Sequence, residues 1–317
     1  MAGFKQWLLG QGIREEDFES TVKRIEAYNQ SLPVPYMLAF GGDEVLKRLY
    51  GEMSENPIAH QDVLCDMMVT IANSQHIHAF NVKGMFLLGL VLQQAGALFD
   101  NRKTRDLDFD VLTHTDWESF VSEMPNLFTV NSRIGAVYTL KKRRGYTANA
   151  NGDSLVFTVM IGGQEVEVRI DMNVKEFEDQ TLYTLGNTEF YGASVYAMLA
   201  DKLSACCSRK VYRRVKDVYD IYTMSLCLDI KSADFFRTWD SSPRVVDKPC
   251  ELLAPDAYAK LEHAFKVYQG FVVNKDDFSL VYERVVNFLD VLLIGVYAAN
   301  NRMNEVWLHD KGVWVRG

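Results

Sequence analysis

The period of the apolar positions changes along the chain. Over the first eighty residues they recur at three- and four-residue spacing. Phe18, Val22, Ile25 and Tyr28 do so, as do Val63, Met67, Ile71 and Ala72, and this predicts amphipathic helices. The character changes at Phe80. Lys83-Gly84 opens the unbroken apolar run Met85–Leu92, long enough for a buried helix with Lys-Gly at its entry. A polar, turn-like stretch from Asp100 follows, and Arg105–Leu112 then alternates apolar and polar like a strand. Leu155–Ile161 and Gln164–Val174 also read as strands, and the Gly162-Gly163 between them is a hairpin signal.

After Gly192 the helical period returns over Ala193–Arg209 and Arg213–Leu228. Ser241–Pro255 holds three of the seven prolines and reads as a linker or long loop. Helices around Ala257–Gln269 and Leu280–Ala299 follow. Val306–Leu308 and Val313–Val315 then frame a small hairpin. The order is helices, an antiparallel-leaning α+β core, then helices. A length of 317 residues suits about two domains. The expected division is an N-terminal helical segment packed on the core (1–78), the core (79–190) and a helical C-terminal domain (191–317).

Composition narrows the classes. With 48% apolar and 24% charged residues, disorder, collagen and coiled coil are excluded as whole-chain descriptions. The net charge of −8 means that any nucleic acid must meet a local basic patch. Two candidates exist: Lys141-Lys142-Arg143-Arg144, and the stretch Arg209, Lys210, Arg213, Arg214 and Lys216. The second is a phosphate or RNA surface or, as most charge runs are, a solvated face. Five cysteines, without a CxxC, fit reduced thiols in a cytoplasmic protein. The longest apolar stretches fall short of the ~20 residues a bilayer needs, and no signal peptide is visible, so no membrane partner is expected.

The sharpest chemical feature is Arg105-Asp106-Leu107-Asp108-Phe109. On a strand Asp106 and Asp108 share one face, while Leu107 and Phe109 enter the core. Two carboxylates ~7 Å apart on one strand can bracket a divalent cation, and all-oxygen donors suit Mg²⁺ better than zinc. The bland counterpart is an amphipathic strand with a solvated acidic face, although Asp is a poor strand former. In Gln164–Val174, Glu165, Glu167, Arg169 and Asp171 share the polar face. Spacing alone leaves the choice of a third carboxylate open between Asp171 and Glu167.

Lys83-Gly84 before a helix is a weak phosphate-site signal by itself. Further on, Ala200-Asp201-Lys202-Leu203 precedes Arg213–Asp220, where Asp217 and Asp220 lie on one helical face. The plain reading there is a surface helix with a Lys216–Asp220 pair. Of the six histidines only His76 and His78 are close together, upstream of the acidic motif, which gives a metal phosphohydrolase little support.

In order, these motifs resemble the AbiEii/AbiGii nucleotidyltransferase toxin family. That pattern runs Lys-Gly-Gly, Arg-x-x-Asp-[Ile/Leu]-Asp-[Phe/Leu], a strand ending in a carboxylate, Ala-x-Lys-Leu and Arg-x-x-Asp-x-x-Asp. The match spans about Ala79 to Ile221, and Met85 replaces the small residue that usually follows the first glycine. The resemblance implies a polymerase-beta-like nucleotidyltransferase fold, an α+β mixed sheet with flanking helices, plus a helical C-terminal domain. It implies transfer of a nucleoside monophosphate from an NTP to RNA, with the tRNA 3′ end as acceptor, in a toxin–antitoxin or phage-defence system with a cognate antitoxin.

By the same resemblance Asp106, Asp108 and Asp171 hold Mg²⁺ or Mn²⁺. Lys83, Gly84, Arg105 and Lys202 bind the nucleotide, and Asp217 supports catalysis. Lys141–Arg144, Arg209, Arg213 and Arg214 then serve as RNA contacts. Two alternatives stand beside this reading: a catalytically silent NTP- or RNA-binding relative, which Met85 favours, and a plain interaction protein.

Overall fold

The computed structural model describes residues 57–95, 104, 106–111, 117–145, 152–161, 163–174, 179–207, 210–241, 250–268 and 277–317, together with residues 14, 16 and 20. The helix expected around Phe18–Tyr28, Arg105, Arg209 and most of the proline-bearing stretch lie outside them. The chain divides into two compact units, one of Met1–Gln93 with Leu98–Ala193 and one of Gln94–Ala97 with Ser194–Gly317.

The first unit is built on a sheet. Its described elements are α1 (Pro57–Ala72), β1 (Phe80–Lys83), α2 (Gly84–Gln94), β2 (Asp106–Val111), α3 (Trp117–Asn131), β3 (Val137–Gly145), β4 (Gly152–Ile161), β5 (Gln164–Val174), β6 (Gln180–Leu185) and β7 (Thr188–Ala193). Seven strands form one sheet in the order β3-β4-β5-β2-β1-β7-β6. It is mixed: β2 runs parallel to β5 and β1 parallel to β7, while the other pairs are antiparallel. The β4–β5 hairpin turns where expected, with Ile161 opposite Gln164 and Gly163 at φ +81°.

One face of this sheet is the core. Leu107, Phe109, Val111, Leu155, Phe157, Ile170 and Met172 are buried there. Helix α3 packs against it through aromatic rings, with Phe120 4.8 Å from Phe80 and Phe128 5.6 Å from Phe157. Each such large side chain contributes about 1.5–3 kcal/mol on burial. Helix α1 is tied in by Asp66, which is fully buried yet satisfied. It accepts from Ser132 Oγ at 2.7 Å, Tyr138 Oη at 2.8 Å and the Arg133 N–H at 2.8 Å. Without such donors a buried carboxylate would be strongly destabilising.

The second unit is mainly helical, with α4 (Val195–Cys206), α5 (Val215–Cys227), α6 (Ser232–Ser241), α7 (Ala257–Val267) and α8 (Phe278–Tyr297). The short strands β8 (Ile230–Lys231), β9 (Glu305–Leu308) and β10 (Val313–Arg316) form its antiparallel sheet. Ser194 caps α4 by accepting from the Ala197 N–H, and Asp277 caps α8 by accepting from the Ser279 N–H, which satisfies donors each helix start leaves free. Gly295 lets α8 close on α6, because a Cβ there would sit 2.1 Å from Cζ of Phe236. Among the described residues, no helix is long and apolar enough to cross a membrane.

Candidate active site

Asp106, Asp108 and Asp110 alternate along β2 and share the face opposite the core. Strand pairing sets their neighbours. Lys83 of β1 and Asp171 of β5 are the register partners of Asp108 on its two sides, and Ser154 of β4 and Arg144 of β3 extend the same row. Asp106, Arg169, Val156 and Lys142 make the row beside it. On the other side Asn81, Asp110, Asn173 and Gly152 make a third. Neighbouring strands lie about 4.8 Å apart, so acidic and basic groups from four strands share one face, with Ser154 and Val156 of β4 between them. Of the two residues that spacing left open, Asp171 stands beside Asp108, while Glu167 is engaged by Lys141 at 2.8 Å.

Gly84 sits at the join of β1 and α2 with φ +72°, in the left-handed region that favours glycine. It is also crowded: a Cβ there would lie 2.0 Å from Oδ2 of Asp108. The first helical turn therefore rests its backbone directly on a carboxylate of the acidic row. Met85, the departure from the family pattern, is buried, so its side chain belongs to the packed interior. Lys83 has its Nζ on Asp110, and both side chains are largely buried.

Arg169 is a central cation of the patch. Its Nη2 donates to Oδ2 of Asp106 at 2.9 Å, and its Nε lies 2.9 Å from Oδ2 of Asp171. Partial burial works against its charge. The bond to Asp106 and the charges of Asp171, Asp106 and Asp108 outweigh that and raise its pKa above the ordinary arginine value. The Thr104 hydroxyl donates to the other oxygen of Asp106 at 3.0 Å. Among the described residues, no three His, Cys, Asp or Glu side chains are already arranged around one point to hold a metal. The donor set still fits a hard divalent cation. Asp106 and Asp171 already converge on a positive charge, and Asp108 stands in register between Lys83 and Asp171.

The basic run Lys141–Arg144 lies within the edge strand β3. A bulge between Leu140 and Lys142 shifts its register. Lys142 faces the acidic rows, and Arg144 holds a register position in the row of Asp108. Lys141 pairs with Glu167 on the same face, and that bond raises its pKa. Arg143 instead pairs with the buried Asp153. Sequence spacing had not singled out Arg169, Asp110 or Ser154. The available signals were the two-residue step from Arg169 to Asp171 and the third aspartate in Asp106-x-Asp108-x-Asp110.

The family model described as nucleotidyl transferase AbiEii toxin, type IV toxin–antitoxin system, matches residues 66–267. The chain belongs to the AbiEii nucleotidyltransferase toxin family. As a member it is a nucleotidyltransferase, and its first unit carries the mixed sheet with flanking helices that such a fold requires. Its fold is similar to the nucleotidyltransferase toxin MenT4 from Mycobacterium tuberculosis, at 15% identity over 80% of this chain and 92% of that one, with a TM-score of 0.48. It is also similar to JHP933 from Helicobacter pylori, at 12% identity over 78% and 99% of the two chains, with a TM-score of 0.46. No curated protein matches the chain.

The other AbiEii motif residues form a cluster inside the second unit. Lys202 of α4 has its Nζ 2.5 Å from Asp220 and 3.8 Å from Asp217, both on α5, and all three residues are buried. Asp220 thus turns inward onto Lys202 rather than lying on a surface helix with Lys216. Oδ2 of Asp217 is buried without a hydrogen bond, and Arg214 approaches it only to 3.8 Å. Arg213 and Arg214 are exposed in the single turn Val211–Arg214, which follows Lys210 at φ +67°.

Proposed function

We propose that this AbiEii enzyme transfers a nucleoside monophosphate from an NTP to a hydroxyl of RNA, the tRNA 3′ end being the acceptor, with Mg²⁺ or Mn²⁺. The observation that carries this reading is the row Lys83, Asp108 and Asp171, with the Gly84 backbone lying against Asp108. Asp106, Asp108 and Asp171 would hold the divalent ions, which supply charge neutralisation for the triphosphate and polarise the reacting phosphorus.

The remaining steps belong to the chain's own groups. The start of α2 directs free N–H donors at the phosphates beside Lys83 and Gly84. The acceptor hydroxyl oxygen attacks the α-phosphorus, the bond to the bridging oxygen breaks, and pyrophosphate leaves. Asp171 takes the hydroxyl proton. Such chemistry needs positioning and charge neutralisation more than covalent help, which a multi-strand charged patch supplies.

Lys202 and Asp217 enter the proposal through the shared motif, Lys202 as a nucleotide contact and Asp217 as support for catalysis; Lys103 stands at the motif's arginine position, and Arg105, next to Asp106, is a further nucleotide contact. Lys141, Lys142 and the position of Arg144 on the active face support a path for the RNA backbone. The exposed Arg213 and Arg214 are further RNA contacts. The type IV toxin–antitoxin assignment of the family supports a cognate antitoxin, and the proposal extends to a cytoplasmic role in phage defence.

The test incubates the protein with Mg²⁺, each α-labelled NTP in turn and total tRNA, beside Asp106→Ala. Label on RNA with wild type alone is expected. Absence of label on tRNA and every other RNA supplied, under conditions in which NTP binds, would overturn the transfer reading.

A further inference from the structure

Arg169 has no place in the family motif, yet it holds two of the three carboxylates expected to bind metal. One nitrogen of its guanidinium serves Asp106 on β2 and another serves Asp171 on its own strand, both at 2.9 Å. This bridging is built into the register: Arg169 is the partner of Asp106 and stands two residues before Asp171, so all three share one face. A planar guanidinium can satisfy two carboxylates at once in this way. Its side chain is also 47% exposed, so it can swing out without breaching the core. Lys83, the cation in register with Asp108 on the opposite side from Asp171, is held on Asp110 and largely buried.

We propose that Arg169 is a positioning residue that acts as an internal counter-cation, holding Asp106 and Asp171 until the divalent metal displaces it. This rests on the nucleotidyltransferase reading above and adds a thermodynamic consequence to it. A metal ion arriving alone must break two charge-assisted hydrogen bonds and stand near a like charge. A metal arriving with a nucleoside triphosphate meets less opposition, because the phosphate oxygens take over the released guanidinium. Metal and nucleotide therefore bind with positive coupling, and by linkage each raises the affinity of the other equally. Between turnovers the guanidinium returns to the carboxylates and keeps their side chains set.

The experiment is a Mn²⁺ titration of the full chain, read by the electron paramagnetic resonance of free Mn²⁺. It is run with and without an α,β-methylene nucleoside triphosphate of each base. For wild type, weak binding of Mn²⁺ alone and clear tightening with nucleotide are expected. For Arg169→Met, binding of Mn²⁺ alone should tighten about tenfold or more, the scale of removing one like charge a few ångströms from a divalent ion. The gain from nucleotide should shrink correspondingly. Damage to the fold would weaken metal binding, so a tighter ion separates this role from a structural one.

Arg169→Lys keeps the charge but not the two-pronged grip, and should fall between the two. It also serves if the methionine variant does not fold. Mn²⁺ binding to wild type with no tightening in either variant overturns the proposal while leaving the enzyme reading intact. Failure of every protein to bind Mn²⁺, with or without nucleotide, sinks both.

Discussion

Two clusters of aspartate with a basic partner stand out among the described residues, and they are built to opposite ends. In the second unit Lys202, Asp217 and Asp220 are buried on two helices, and Asp220 is held by a lysine with little solvent contact. In the first unit Asp106, Asp108 and Asp171 come from two parallel strands and are only partly buried. Two of them are held by an arginine that is half in solvent. A buried pair cannot be separated without leaving a charge stranded in low dielectric, whereas an exposed guanidinium can exchange its partners with water, metal or phosphate. Aspartates with a basic partner thus make a buried joint with lysine in one place, which sets where the Lys202 ammonium stands, and an exchangeable one with arginine in the other.

The sharpest break of this comparison is Asp108→Asn. Removing one fixed charge from the strand cluster should lower nucleotidyl transfer by about 10³-fold, the upper range for losing one electrostatic group, and leave folding stability close to wild type. Labelled transfer and a melting curve on the same preparation check both halves. Asp220→Ala is its counterpart. It leaves Lys202 buried without its nearest partner and should cost about 3–5 kcal/mol of stability, measured by urea unfolding. A variant as stable as wild type would show that the second cluster is no joint at all.

Smaller effects sharpen the picture. Gly84→Ala places an L-residue in the left-handed region at about 1–2 kcal/mol and forces Asp108 to move, so activity should fall further than stability. On β3, Lys142→Ala should weaken RNA binding uniformly and lower the salt slope by about one ion. Arg143→Ala should instead act on stability, by leaving Asp153 buried without its arginine. Filter binding over a salt series, beside thermal melts, distinguishes the neighbours.

What the sequence made legible was local. The alternation of Asp106–Phe109 placed both carboxylates on one strand face, and Gly162-Gly163 placed the hairpin, because each depends on a few consecutive residues. The strand β3 was obscured because its bulge breaks the alternation and its second half is basic, as suits an edge strand that must resist pairing with other chains. The short β1 carries only four residues of pattern, and its parallel partner β7 lies more than a hundred residues away. The bridge from Arg169 to Asp106 and the pair Lys83–Asp110 depend on strand register between distant segments, which no local period records. Asp220 was legible as a helix-face residue, but which face is inside is decided by packing against α4.

Gly84 has a consequence at the level of the gene. Every single-nucleotide missense change in a glycine codon gives a residue with a Cβ, and at this position any Cβ collides with Asp108. Every one-step replacement displaces the Asp108 carboxylate. A selection that scores loss of this activity should therefore recover missense changes at codon 84 as well as at codon 108, although only the second encodes a charged side chain. Reversion should restore glycine itself.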